Sequence, residues 1–348
     1  MFEKRDNAQA GDKRETIQEI AIKLAEEQLR TLQSESGPKE RTIFVLGSKS
    51  VGKSTVLHKF FDRDDNPRPT LALEYSYGRR TSGTQKQVLN VWELGALDNA
   101  EQLISVPLQT HGLEHFSAII MLDLSQPNLV WPDLERIYRA LHATSNKLLK
   151  AEEEQAYRER MAERIKRDHN ELESFDLMPF PLIIVGGKYD LFKDFDHELK
   201  QSICHCLRAM AHLIGGSVLF YSSKMPKLAK TLRDTISHLG FGSPTNPFRA
   251  HVTDCSDALS IWFGTDSWES IGNADVMSVE RIGALLAVEM PQLNEVGKKR
   301  KTKARLNDPA KDPGFSESII DEMRAQKDKE LQAIIKESQL RGQFETII

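Results

Sequence analysis

Eight consecutive residues, Gly47-Ser48-Lys49-Ser50-Val51-Gly52-Lys53-Ser54, fit the spacing G-x-x-x-x-G-K-[ST]. Their types explain one another. Glycine at 47 and 52 lets the backbone curl until successive N–H groups converge on one anion, and a helix starting directly after the loop adds the positive end of its dipole. Lys53 is placed to reach the β- and γ-phosphates of a nucleotide, and the Ser54 hydroxyl is a ligand type for Mg²⁺. The expected phosphate cradle is Gly47 through Ser54, with Thr55 beside it.

Other oxygen-bearing residues could complete a Mg²⁺ shell. Thr70 lies on an extended loop enforced by Pro67 and Pro69, where phosphate-loop nucleotidases can carry a metal-closing threonine. Glu93 ends one apolar strand and Asp123 ends another. Either carboxylate could hold the metal through water, and the two point to different nucleotidase lineages.

The elements that must position these groups are legible as alternating runs. The run Thr42 to Leu46 is a buried strand, and Val56, Leu57, Phe60 and Phe61 give the helix after the loop an apolar face. Further strands are expected at Thr70 to Tyr77 (an edge strand), Gln87 to Trp92, Phe116 to Asp123, Pro181 to Gly186 and Ser217 to Tyr221. Trp131-Pro132 is expected to open a long helix, followed by mixed charge from Glu152 to Glu173 that reads as a solvated helix face. Lys227 to Leu239 is expected to close the domain. Strands alternating with helices predict an α/β fold, a mainly parallel six-stranded sheet with helices on both faces. Phosphate ligands then belong at the carboxyl ends of the strands.

Composition limits the rest. At 348 residues, 39% hydrophobic, the chain can bury a sizeable core; 28% charge and a mean hydropathy of −0.45 imply long solvated helices as well. A net charge of −4 argues against a general nucleic-acid or membrane binder, and no apolar run is long enough to span a bilayer. The N-terminal residues carry no signal-peptide pattern. Three cysteines, Cys204, Cys206 and Cys255, make no disulfide framework and suggest a reducing compartment. Cys204-His205-Cys206 lies on a helix, where neighbours two apart face different ways, so zinc is not expected there.

Several segments together resemble the light intermediate chain of cytoplasmic dynein 2. They are GSKSVGKS at Gly47 to Ser54, PTLALEYSYGRR at Pro69 to Arg80 and WELG at Trp92 to Gly95. LDLSQPNLVWP at Leu122 to Pro132, GGKYDLFKDF at Gly186 to Phe195 and the tail from Asp308 to Leu331 continue the likeness. The resemblance implies a Ras-like phosphate-loop fold that clasps the motor heavy chain alongside other dynein 2 subunits. It implies a role in retrograde intraflagellar transport and cilium assembly, in cytoplasm, cytoskeleton and cilium, including axoneme and basal body. Direct insertion in a membrane is not implied.

Measured against a working GTPase, the chain departs where chemistry is done. The Mg²⁺-side Asp position holds Glu93, the Gly three later is Ala96, and the water-orienting Gln is Leu97, so hydrolysis is expected to be slow or absent. The guanine-reading Asn-Lys-x-Asp is Gly187-Lys188-Tyr189-Asp190, and Lys49 is bulky where many GTPases keep Gly. Lys188, Asp190, Ser223 and Lys224 remain the base-side candidates, the last two in a loop, Ser222-Ser223-Lys224, that resembles the one closing on the base. The expected ligand is GTP/GDP or ATP with Mg²⁺ held by Ser54, Thr70 and Glu93, in a subunit that is not an enzyme. A regulatory GTPase switch is the alternative, and an ATPase using Asp123 the third reading.

The expected organisation is an N-terminal helical extension (1–39), the phosphate-loop domain (40–240) and an extension packed on it (241–292). A basic linker (293–315) and a C-terminal helix (316–348) follow. Within the first, residues 12–35 have helical apolar spacing. The linker carries Lys298, Lys299, Arg300, Lys301, Lys303 and Arg305, and the last helix carries an apolar stripe suited to docking on another chain.

Overall fold

The computed structural model describes residues 40–82, 85–97, 100–165, 175–242, 251–272, 278–290 and 317–345. The N-terminal helix expected over 12–35 and the basic run Lys298 to Arg305 lie outside the described residues.

Seven strands form one sheet: β1 (Glu40–Gly47), β2 (Leu73–Ser82), β3 (Gln85–Leu94), β4 (Phe116–Asp123), β5 (Leu182–Gly187), β6 (Ser217–Phe220) and β7 (Ser260–Ile261). Their spatial order is β2-β3-β1-β4-β5-β6-β7. The five inner strands run parallel, while β2 pairs antiparallel with β3 and β7 antiparallel with β6. This is the expected Ras-like α/β sheet with one strand more than the sequence pattern supplied. Two residues are too few for alternation to show, and β7 exists because Val218 and Leu219 offer an open edge to Ile261 and Ser260.

Alternation along the strands builds two cores. Phe44, Leu46, Ala118, Ile120, Leu182 and Ile184 face one side of the sheet. Ile43, Val45, Ile119, Met121, Ile183 and Val185 face the other. Both faces are apolar because helices cover both, which is why β4 and β5 read as continuous hydrophobic runs. On the first face lie α2 (Ala100–His111), α3 (Pro127–Leu148), α4 (Ala151–Ile165), α6 (His197–Leu213) and α9 (Val279–Glu289). On the second lie α1 (Lys53–Phe60) and α7 (Pro226–Phe241). Two short helices, α5 (Tyr189–Phe192) and α8 (Trp268–Ile271), and a long last one, α10 (Ser318–Glu345), complete the described elements.

One helix boundary differs from the sequence expectation. α3 begins at Pro127, not at Trp131, and carries Pro132 inside it. Pro127 suits a first helical position, where its missing N–H would have no partner; Pro132 forfeits one internal hydrogen bond, and burial of Trp131, Leu134 and Ile137 holds the helix across the gap. In α4 the mixed charge is indeed a solvated face, but Tyr157, Met161, Ala162 and Ile165 seat the opposite side on the domain.

Residues 251–272 pack on α6. Arg208 of that helix forks onto Asp266, Nε to Oδ2 at 2.8 Å and Nη2 to Oδ1 at 2.7 Å, with both side chains almost fully buried. A bidentate pair removed from water this completely fixes the segment's register on the helix, since either charge left alone would be strongly destabilising.

Candidate functional site

The phosphate loop leaves the carboxyl end of β1 and enters α1 at Lys53, as the spacing requires. Gly47 has φ +142°, and a Cβ there would stand 1.8 Å from the Met121 carbonyl oxygen of β4. No other residue fits. Gly52 (φ 104°) and Ser50 (φ 59°) are both left-handed, the conformation that turns successive N–H groups to one side. A non-glycine residue held left-handed at 50 is a local strain of the kind found at ligand loops.

Lys53 is buried, and its Nζ donates to the carbonyls of Gly47 (3.1 Å), Ser48 (3.0 Å) and Gly95 (3.4 Å). Burial lowers its pKa to about 8, against the pull of Glu93 and Asp133 in the other direction. The Ser54 hydroxyl donates to Glu93 Oε1 at 2.7 Å. Burial pushes the Glu93 carboxyl above its ordinary value, while the hydrogen bond from Ser54, the charge of Lys53 and the nearby Thr70 hydroxyl oppose that. Ser54 and Glu93 therefore meet directly, and Thr70, whose hydroxyl donates to Glu74 Oε2 at 3.1 Å, lies near them. An all-oxygen set beside a phosphate cradle has the chemistry of a Mg²⁺ site.

Asp123 is not part of it. Lys188 Nζ approaches its Oδ2 at 2.7 Å, Ser125 donates to its Oδ1 from both backbone and hydroxyl, and Gln126 adds a bond to Oδ2. The ATPase reading, which needed Asp123 on the metal, loses its carboxylate to this cluster. Lys188 itself is left-handed, with φ 58°.

The base side is rebuilt. Asp190 receives the Ser222 hydroxyl on Oδ1 (2.7 Å) and Lys224 Nζ on Oδ2 (2.8 Å), and the bonds from Lys224 and then Ser222 hold its carboxyl below the usual range. Ser223, expected on the base side, is exposed and takes a bond from Lys59 on its carbonyl. At Gly187 a Cβ would lie 2.6 Å from Cγ2 of Val51, so the phosphate loop occupies the space of the missing Asn side chain. Leu97 is buried, in the same core cluster as residues of α2 and α3.

One participant escaped the sequence reading. Asp133, from α3, accepts the Ser48 hydroxyl at 2.6 Å, and the same Ser48 oxygen receives the Asp123 backbone N–H at 3.3 Å. Asp133 thus braces the loop from a helix 85 residues away in sequence, a link that no spacing rule encodes. Lys49 is exposed at the loop's outer side.

The residues present have the chemistry to hold a nucleotide's phosphates and a Mg²⁺ ion, and position 187 offers no side-chain amide toward a base.

Comparison with known proteins bears on the family and the fold. Residues 21–180 match the family described as Dynein light intermediate chain (DLIC). Cytoplasmic dynein 2 light intermediate chain 1 of Bos taurus is 38% identical over 337 residues, covering 91% of this chain and 94% of that one. The protein of the same name from Rattus norvegicus is 39% identical over 308 residues (84% and 87%), and that from Homo sapiens 37% over 337 residues (91% and 94%). The solved conserved domain of a dynein light intermediate chain superposes with a TM-score of 0.51 at 17% identity, over 73% of this chain and 91% of that one, which speaks for the fold. A Ras-like sheet, a phosphate loop with its lysine and serine in place, and this level of identity along nearly the whole chain make it a member of the dynein light intermediate chain family, in the cytoplasmic dynein 2 group.

Proposed function

We propose that the chain is a non-catalytic subunit of a cytoplasmic dynein 2 motor, binding and stabilising the heavy chain for retrograde intraflagellar transport and cilium assembly. The observation that carries this reading is the fate of the two positions a GTPase cannot lose. Leu97 is absorbed into the core, and Gly187 is packed against Val51, while the scaffold around them is intact. Family membership supports a dynein subunit; the eroded site supports a subunit that works by its surfaces. Bound nucleotide would stabilise the fold by mass action without being turned over. Residues for it are Gly47 to Thr55 for phosphate, Ser54, Thr70 and Glu93 for Mg²⁺, and Asp190 with Lys188 and Lys224 toward the base.

A regulatory switch is the second reading, favoured by the contact of Ser54 with Glu93 and by Thr70 close by. Thr70 sits on the loop that such a switch would order on triphosphate.

The test is recovery of the dynein 2 heavy chain from ciliated cells with tagged wild-type and Lys53→Ala protein, with nucleotide extracted from each. Equal recovery whatever the nucleotide is the expected result. Recovery that requires Lys53 and varies with triphosphate would replace the scaffold with the switch, and recovery of no heavy chain by either protein would overturn both.

A further inference from the structure

Helix α6 meets residues 251–272 through more than the Arg208–Asp266 fork. Arg208 Nη1 also reaches the carbonyl of Thr253, at 3.3 Å. One turn earlier on the same face of the helix stands Cys204, fully buried, and two residues beyond Thr253 stands Cys255. The two thiols lie in the same buried cluster and act on one another electrostatically, with the Arg208 guanidinium near both. Cys255 is 8% exposed, so its side of the pair touches solvent. Cys206 points elsewhere, as a residue two further along a helix must, and faces Glu289 of α9.

We propose that Cys204 and Cys255 form a redox modification site, oxidised by a hydroperoxide such as hydrogen peroxide to an intramolecular disulfide that ties residues 251–272 to α6. The contacts assign the roles. The interaction with Cys204 and the Arg208 guanidinium hold the Cys255 thiol low, at about 7, against burial and the charge of Asp254. The interaction with Cys255 and burial push Cys204 up. A thiol near the edge of the core, in an electropositive setting, beside a fully buried neutral one is the arrangement of an attacking and a resolving cysteine.

The Cys255 thiolate attacks one peroxide oxygen, the O–O bond breaks, and the departing hydroxide takes a proton to become water, leaving Cys255 as a sulfenic acid. Cys204 sulfur then attacks Cys255 sulfur; the S–S bond forms, the S–OH bond breaks, and the hydroxide leaves with the Cys204 proton as a second water. Two thiols lose two electrons and one peroxide becomes two waters. The link would close a loop of about 50 residues containing β6 and α7, and so restrict the unfolded chain.

The experiment is peroxide titration of the full reduced chain at neutral pH, then alkylation, digestion without reductant and peptide mapping. A Cys204–Cys255 linked peptide is expected, reversed by dithiothreitol, with Cys206 still alkylated and the melting temperature raised by several degrees. Cys255→Ser should abolish the link and leave Cys204 alkylated. Should that variant not fold, Cys206→Ser, which leaves the pair intact, must still form the link. Alkylation of both Cys204 and Cys255 after peroxide would overturn the proposal. So would a link through Cys206, or Cys255 advancing to sulfinic acid with no link.

Discussion

Val51 and Gly187 are interlocked: Cγ2 of the loop valine lies 2.6 Å from where a Cβ at Gly187 would stand. The residue that would read a guanine base and the residue that shapes the phosphate loop have become one packing contact. Val51 is 3% exposed, and its neighbours Val185 and Tyr221 belong to the same core cluster. The change at 187 is therefore part of the fold's stability and cannot be undone by one substitution.

Gly187→Asn tests this. The added side chain must push Val51 aside, and overpacking of this kind costs about 1–3 kcal/mol. The expected outcome is a lower denaturation midpoint with no gain in preference for GTP over ATP, measured by urea unfolding and by competition with fluorescent nucleotides. A variant that folds as well as wild type and acquires guanine selectivity would show that the interlock is incidental.

Leu97→Gln should behave in the same way at the other end of the site. Leu97 is buried among core side chains, so an amide placed there leaves water for an apolar surround at a cost of about 1–3 kcal/mol. Stability should fall and phosphate release with Mg-GTP or Mg-ATP should stay at the wild-type level. Turnover clearly above wild type would mean that position 97 does face the loop.

These two residues also mark where reading the sequence was sufficient and where it failed. The phosphate loop was legible because its chemistry is local: Gly47, Gly52, Lys53 and Ser54 are fixed by the backbone of one turn. The sheet was legible because Phe44/Leu46 and Ile43/Val45 alternate between two cores. The sequence registered the loss of Gln at 97 and Asn at 187, but what replaced them depends on packing between distant segments. Asp133 escaped for the same reason, since α3 brings it to Ser48 only after the sheet has formed. The Ser222–Asp190 bond was not legible either, because which of two adjacent serines turns inward is settled by the end of β6.

Lys53 gives a pH signature. Its pKa in the folded chain is about 8 against an ordinary 10.5. Below pH 8 both folded and unfolded chains hold the proton, and the burden of a buried charge is constant. Between about 8 and 10.5 the unfolded chain keeps a proton that the folded chain has released, so stability rises with pH by up to about 3 kcal/mol across that window. Lys53→Met lacks the group and should lack the rise, seen as diverging profiles in paired urea denaturations from pH 7 to 10.5. Saturating Mg-nucleotide should flatten the wild-type profile, because phosphate charge restores the ammonium. Parallel profiles for the two proteins without nucleotide would remove the case for a buried, desolvated Lys53.

The last helix presents its apolar residues to solvent: Ile319, Met323 and Ile334 are each more than half exposed, as are Ile320 and Leu331. A chain in water keeps such a stripe at a cost unless something covers it, and each side chain of this size gains about 1.5–3 kcal/mol on full burial. Its described link to the domain, Arg68 with Glu317 at 3.8 Å, is an exposed ion pair of little worth. Removing residues 317–348 should therefore leave the melting temperature of the domain within a degree or two while lowering heavy-chain recovery. Deletion alone does not say which feature matters, so Ile320→Asp with Ile334→Asp in the full-length chain is the sharper form. If each isoleucine contributes more than about 1.4 kcal/mol on docking, replacing both weakens binding by at least about 100-fold, with the rest of the helix kept. Full recovery by both the deletion and the double variant would place the heavy-chain contact on the domain and leave the exposed stripe without a partner.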